Sequence, residues 1–102
     1  MTDAGEIVEV RRDEAAGRYE AELADGSVAV VTYRERDGEM LVTHTLTPPK
    51  HRGRGIAGRL TRHVLDDAIE RGLRLVPYCP YTAWFIREHP EYRDHVAPHF
   101  DL

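Results

Sequence analysis

Residues 50–63 read KHRGRGIAGRLTRH, with five basic side chains and no acidic one. Inside this run, Arg52-Gly53-Arg54-Gly55-Ile56-Ala57 has the form R-x-x-G-x-A. At the start of a helix, such a segment presents backbone N–H groups that lack an intrahelical acceptor, together with about +0.5 charge from the aligned peptide dipoles. Glycine at 53 and 55 keeps Cβ atoms out of an anion's way, and Ala57 is small enough to extend the clearance into the first turn. Lys50, Arg52, Arg54 and Arg59 add whole charges. The chemistry fits a pyrophosphate. Other phosphate loops fit less well. No G-x-x-x-x-G-K-[ST] is present, so the lysine and magnesium-binding hydroxyl of that loop are missing. Gly53, Gly55 and Gly58 do spell G-x-G-x-x-G, but Leu73-Arg74-Leu75 stands where a dinucleotide fold needs an acidic residue.

The rest of the chain is acidic. The 102 residues carry a net charge of −4 despite the basic run, so no extended basic face is expected and nucleic acid is not a predicted partner. No apolar stretch approaches the roughly 20 residues of a membrane span. The first ten residues, MTDAGEIVEV, lack a basic-then-apolar leader, which predicts a cytoplasmic protein. Cys79 is the one cysteine, which excludes an internal disulfide and a multi-cysteine zinc site. His51 and His63 have no carboxylate or cysteine at ligand spacing, so no metal is predicted. The length predicts one domain, residues 1–102, with any ligand in a groove rather than an enclosed cavity.

Several elements must position the basic run. Alternating patterns predict strands over residues 7–10, Arg18–Leu23, 27–34 and Glu39–Leu46, with Asp25-Gly26 and Asp37-Gly38 as tight turns. Thr47-Pro48-Pro49 stops the fourth strand, since neither proline can donate to a ladder. Over residues 52–71 the period changes: Ile56, Leu60, Val64, Leu65, Ala68 and Ile69 form one helical stripe, capped by Gly72. Residues 73–78 predict a fifth strand. Thr82 then caps a second helix through Trp84 and Phe85, both assigned to the core, as far as His89; one more turn follows, and the final residues fray. A crossover of about twenty residues makes strands four and five parallel neighbours. The order is ββββαβα, an α/β (α+β) sheet that is mostly antiparallel. The basic run lies at the carboxyl end of strand four, where open sheets bind ligands.

R-x-x-G-x-A after an antiparallel meander resembles the acetyl-CoA pyrophosphate signature of the GNAT superfamily of N-acetyltransferases. With His44-Thr45 through Pro48, residues 70–77, Cys79-Pro80 and Arg87-Glu88-His89-Pro90-Glu91-Tyr92, the chain is similar to the short, single-domain GNAT-like family over about residues 6–97. The resemblance implies a minimal GNAT fold in which strands four and five splay apart. Pantetheine would pair with the backbone of Thr45, Leu46 and Thr47. Amides of Arg52, Gly53, Arg54, Gly55, Ile56 and Ala57 would hold the pyrophosphate of acetyl-CoA or coenzyme A. It also implies that Cys79 is catalytic. A helix start at Thr82 and the basic run would lower the thiol's pKa, although a lone cysteine is also a common core residue.

His44 is the candidate base or thiol activator, against a purely structural place in its strand. Tyr78 and Tyr81 could protonate a departing thiolate; packing is the alternative. Arg87 and His89 are placed near the 3′-phosphate end of the ligand. The implied activity is acetyl transfer to a small-molecule or peptide amine, by a chain in which nothing requires more than a monomer. Larger GNAT enzymes carry two helices between their first two strands, where this chain has only residues 13–17. Its alternative is therefore a non-catalytic CoA or acyl-CoA sensor or interaction module. A third reading, RNA binding through the Arg-Gly run, is opposed by the acidic remainder.

Overall fold

A computed structural model describes residues 4–102. Five strands form one sheet in the order β1-β2-β3-β4-β5: β1 Ile7–Asp13, β2 Arg18–Leu23, β3 Val28–Arg36, β4 Glu39–Leu46 and β5 Arg74–Pro77. The first four are antiparallel neighbours, and β5 runs parallel to β4. Helix α1, Ile56–Glu70, makes the crossover, and α2, Pro80–Glu88, follows β5. Short 3₁₀ turns occupy Pro49–His51 and Pro90–His95. The predicted mixed sheet with parallel fourth and fifth strands is the observed architecture. Among the described residues, no helix is long and apolar enough to cross a membrane.

Asp37 and Gly38 both adopt positive φ, 53° and 77°, the left-handed pair of a tight hairpin. Asp25-Gly26 behaves differently. Only Gly26 is left-handed, and the Asp25 carboxylate accepts the Ser27 amide at 2.9 Å. Helix α1 starts at Ile56 rather than Arg52, because Gly53 and Gly55 hold φ of 82° and 77°. Residues 52–55 are therefore loop. Helix α2 starts earlier than predicted, with Pro80 at its first position and Cys79, not Thr82, as its N-cap. Thr82 is buried one turn in. The final residues do not fray: Ala97 donates to the Leu75 carbonyl at 2.8 Å, and Leu102 packs against the core.

One sheet face carries the main core. Tyr19, Ala21 and Leu23, then Ala29, Val31 and Tyr33, then Met40 and Val42 alternate inward against Ile56, Leu60, Val64, Leu65 and Ala68 of α1 and Phe85 and Ile86 of α2. Each large aliphatic side chain buried this way contributes roughly 1.5–3 kcal/mol, which sets the helices firmly on the sheet. On the outer face a small second cluster is formed by Leu41 and Val76, covered by Ala97 and Phe100. A bulge interrupts the β3–β4 ladder: Thr32 pairs with His44, and Tyr33 with Val42, leaving Thr43 as the extra residue. Downstream of that insertion Thr45 lies opposite inward-facing Val31, and His44 lies on the outer face.

Candidate functional site

The β4–β5 ladder is short. It runs from Glu39↔Arg74 to Val42↔Pro77, and its last tie is the Cys79 amide donating to the Val42 carbonyl at 2.9 Å. Pro77 has no N–H to continue it, and Pro80 turns the chain into α2. Residues 43–46 extend past the point where β5 leaves, so a backbone edge opens into the split. Two pairs of side chains flank it. On the inner face the Thr45 hydroxyl meets the Cys79 thiol at 3.4 Å. On the outer face His44 and exposed Tyr78 line one groove.

The basic loop opens directly above the inner mouth. The first intrahelical bond of α1 runs from the Arg59 amide to the Gly55 carbonyl at 3.1 Å, so the amides of Ile56, Ala57 and Gly58 precede it without an intrahelical acceptor; Ile56 is buried, and Ala57 and Gly58 are partly exposed. The Arg52 amide is different, because it donates to Pro49 at 3.3 Å. A groove of about 240 Å³ here is lined by Thr47, Arg52, Gly53, Gly55, Ala57 and Tyr81. Leu46, predicted beside Thr45 and Thr47, keeps its backbone on the open edge while its side chain is exposed.

A second groove of about 320 Å³ continues from the first, sharing Gly55, Gly58 and Tyr81 with it. Arg59, Arg62, Trp84 and His89 form its walls. Trp84 is 47% exposed, not a core residue as its apolar neighbours suggested; its ring lies 5.6 Å from that of Tyr81. Phe85 is core, as predicted, and also stacks on His89 at 4.0 Å. The Arg62 guanidinium lies over Phe85 at 5.6 Å and donates to the Tyr92 hydroxyl at 3.1 Å. Arg87 is exposed on α2 and does not line the groove.

Cys79 is 5% exposed. Burial alone would raise its pKa, but the Thr45 hydroxyl and the amide and hydroxyl of Thr82, with the Tyr81 amide, outweigh it and bring the thiol below its ordinary value. Tyr81 is shifted the other way, by burial first and then by a thiolate at Cys79. A protonated phenol therefore stands beside an acidified thiol. His44 lies on the outer face, opposite the face on which Thr45 meets Cys79, because the bulge at Thr43 sets the register of both.

Sequence reasoning missed how the loop is held. Lys50 and buried His51 both reach Asp25 of the β2–β3 turn, at 2.8 Å each. The Lys50 hydrogen bond first, then those of the Ser27 hydroxyl and amide and of His51, hold the Asp25 carboxyl below the usual carboxylate range. No local pattern couples position 25 to position 51. Gly58 and Arg62 were equally hidden as groove residues, since only the crossing of α1 and α2 brings them beside Tyr81. Among the described residues no cluster of three metal-ligating side chains occurs.

A split parallel pair lies beneath a glycine-rich helix start, and sequence comparison supplies the family. Residues 18–95 match the family model for GCN5-related N-acetyl-transferase. The chain belongs to this family of N-acetyltransferases. It is similar to Protein NATD1 of Gallus gallus, 28% identical over 96% of this chain and 93% of the relative. Protein NATD1 of Bos taurus is 38% identical over 69% of this chain and 65% of its own length. Among solved structures, the solution structure of a GCN5-like protein from Staphylococcus aureus superposes with a TM-score of 0.64 at 21% identity, covering 88% of each chain, which supports the fold.

Proposed function

We propose that this protein binds acetyl-CoA along the inner trough and passes the acetyl group to an amine through Cys79. The observation that carries the reading is the alignment of three features: amide-lined loop, open β4 edge and acidified thiol. The pyrophosphate sits on the amides of residues 55–58, among Arg52 and its neighbours. Pantetheine adds to the backbone of Thr45, Leu46 and Thr47 as a short extra strand, and the adenosine end lies between Trp84, His89 and Arg62. The thioester is thereby delivered to the Thr45–Cys79 contact.

There the Cys79 thiolate attacks the acetyl carbonyl, the C–S bond to CoA breaks, and Tyr81 gives its proton to the departing sulfur. The amine then attacks the acetyl-Cys79 carbonyl from the split. The Cys79 sulfur leaves as thiolate, and the amine proton goes to His44. Exchange between two thioesters is close to neutral in energy, so the barrier rests on positioning. Intact mass spectrometry after incubation with acetyl-CoA should show one added acetyl group, absent in Cys79→Ala. A folded wild-type protein that binds CoA yet gains no acetyl would contradict the covalent route.

One observation favours a second reading, a CoA-responsive binding module. β1 and β2 are joined by a tight turn ending at Gly17, whose amide donates to Glu14 at 3.3 Å, so no helices wall the outer side. A module of that kind binds CoA without releasing acetylated amine.

A further inference from the structure

Resting on the transfer reading above, we propose that the outer-face groove beside His44 and Tyr78 is the acceptor site, and that it selects small primary amines carrying an anionic group. The groove encloses about 660 Å³ and is lined by Thr32, Arg34, Glu35, Arg36, Thr43, His44 and Tyr78, with Leu41 beneath. Two adjacent pairs in the sequence straddle the sheet. His44 faces the groove while Thr45 touches Cys79, and Tyr78 lines it while Cys79 closes the inner mouth. An amine held in the groove therefore enters the split from the side opposite the trough. His44 is the only imidazole among its lining residues and meets the amine first.

Charge decides which amines fit. The carboxylates nearest the groove are already committed: Glu20 to Arg18 at 2.7 Å, Glu39 to His99 at 2.6 Å, and Glu35 to Arg71. Arg34 and Arg36 are exposed, and neither has a carboxylate partner among the described residues. Arg34 lies across from Leu41 and two residues from Thr32, the partner of His44, so it stands diagonally beside the imidazole. Arg36 stands directly across the ladder from Glu39, so Arg34 is the guanidinium that a cationic polyamine meets uncompensated there, and the polyamine is repelled. A molecule with an amine and a nearby carboxylate or phosphate can place its anion on the Arg34 fork and its nitrogen at His44.

The test is a comparison of acceptors. Full-length protein and acetyl-CoA are incubated with glutamate, phosphoethanolamine or spermidine, and the N-acetyl product is measured by mass spectrometry; calorimetry with CoA is run in parallel. The anionic amines should be acetylated in preference to spermidine, and the better of the two identifies carboxylate or phosphate as the anion. Arg34→Glu/Arg36→Glu, whose sites are exposed and leave the core untouched, should lower kcat/KM for the anionic amine by roughly tenfold or more through KM and raise it for spermidine. Arg34→Lys should recover part of the loss. Preference for spermidine, an unaffected double variant, or no acetylated amine despite CoA binding would overturn the acceptor assignment and leave CoA binding intact. Failure to bind CoA would instead remove the transfer reading itself.

Discussion

Cys79 owes its lowered pKa to its neighbours rather than to exposure. It is almost wholly buried, a setting that ordinarily keeps a thiol protonated, yet hydrogen bonds from Thr45 and from the first turn of α2 favour the thiolate. Thr45→Val removes one of those donors and keeps the shape. Alkylation of Cys79 by iodoacetamide should then require higher pH, because losing a group that lowers the pKa moves the thiolate's appearance upward. An unchanged pH profile would show that Thr45 does not act on the thiol. Cys79 was legible as a candidate from its place after the fifth strand. Its partner was not, because the one-residue bulge at Thr43 decides whether position 44 or 45 faces it, and a bulge leaves no mark in an alternating pattern.

At the scale of elements, α1 begins where the anion would bind and carries a glycine in its interior. Gly58 costs the helix roughly 0.5–1 kcal/mol relative to alanine. A Cβ at that position would lie 3.4 Å from the Tyr81 hydroxyl and 3.7 Å from Phe85, at the joint between the two inner grooves. Gly58→Ala should therefore raise the melting temperature slightly while weakening CoA binding, and Gly58→Leu should block the joint and abolish binding in a protein that still folds. Tighter or unchanged CoA affinity in Gly58→Leu would place the ligand elsewhere. The stripe from Ile56 to Ile69 made α1 evident in the sequence, whereas its first residue was misplaced by four. The apolar stripe begins only at Ile56 and sets no boundary upstream of it; the left-handed backbone of Gly53 and Gly55, which stops the helix short, leaves no mark in that pattern.

The whole molecule divides its labour between two sheet faces. The inner face is packed by both helices and supplies a trough whose parts come from β4, the basic loop, α1 and α2; the outer face carries a small cluster covered by the segment ending at Phe100. Order and direction of strands were readable from alternation, turns and crossover length, because short-range rules govern each. The trough was only half readable. The R-x-x-G-x-A run is contiguous and announces itself, while the Asp25–His51 tie and the Tyr81–Trp84–Arg62 wall arise from contacts between distant segments. Coenzyme A binding at the start of α1 underlies every step described, and isothermal titration calorimetry of the intact protein with CoA tests it most directly. One molecule should bind per chain, with affinity that falls as salt is added and is lost in Gly55→Glu, which puts a carboxylate and a strained left-handed backbone at the anion site. A folded protein that gives no heat with CoA, or binds it equally well as Gly55→Glu, would contradict the account.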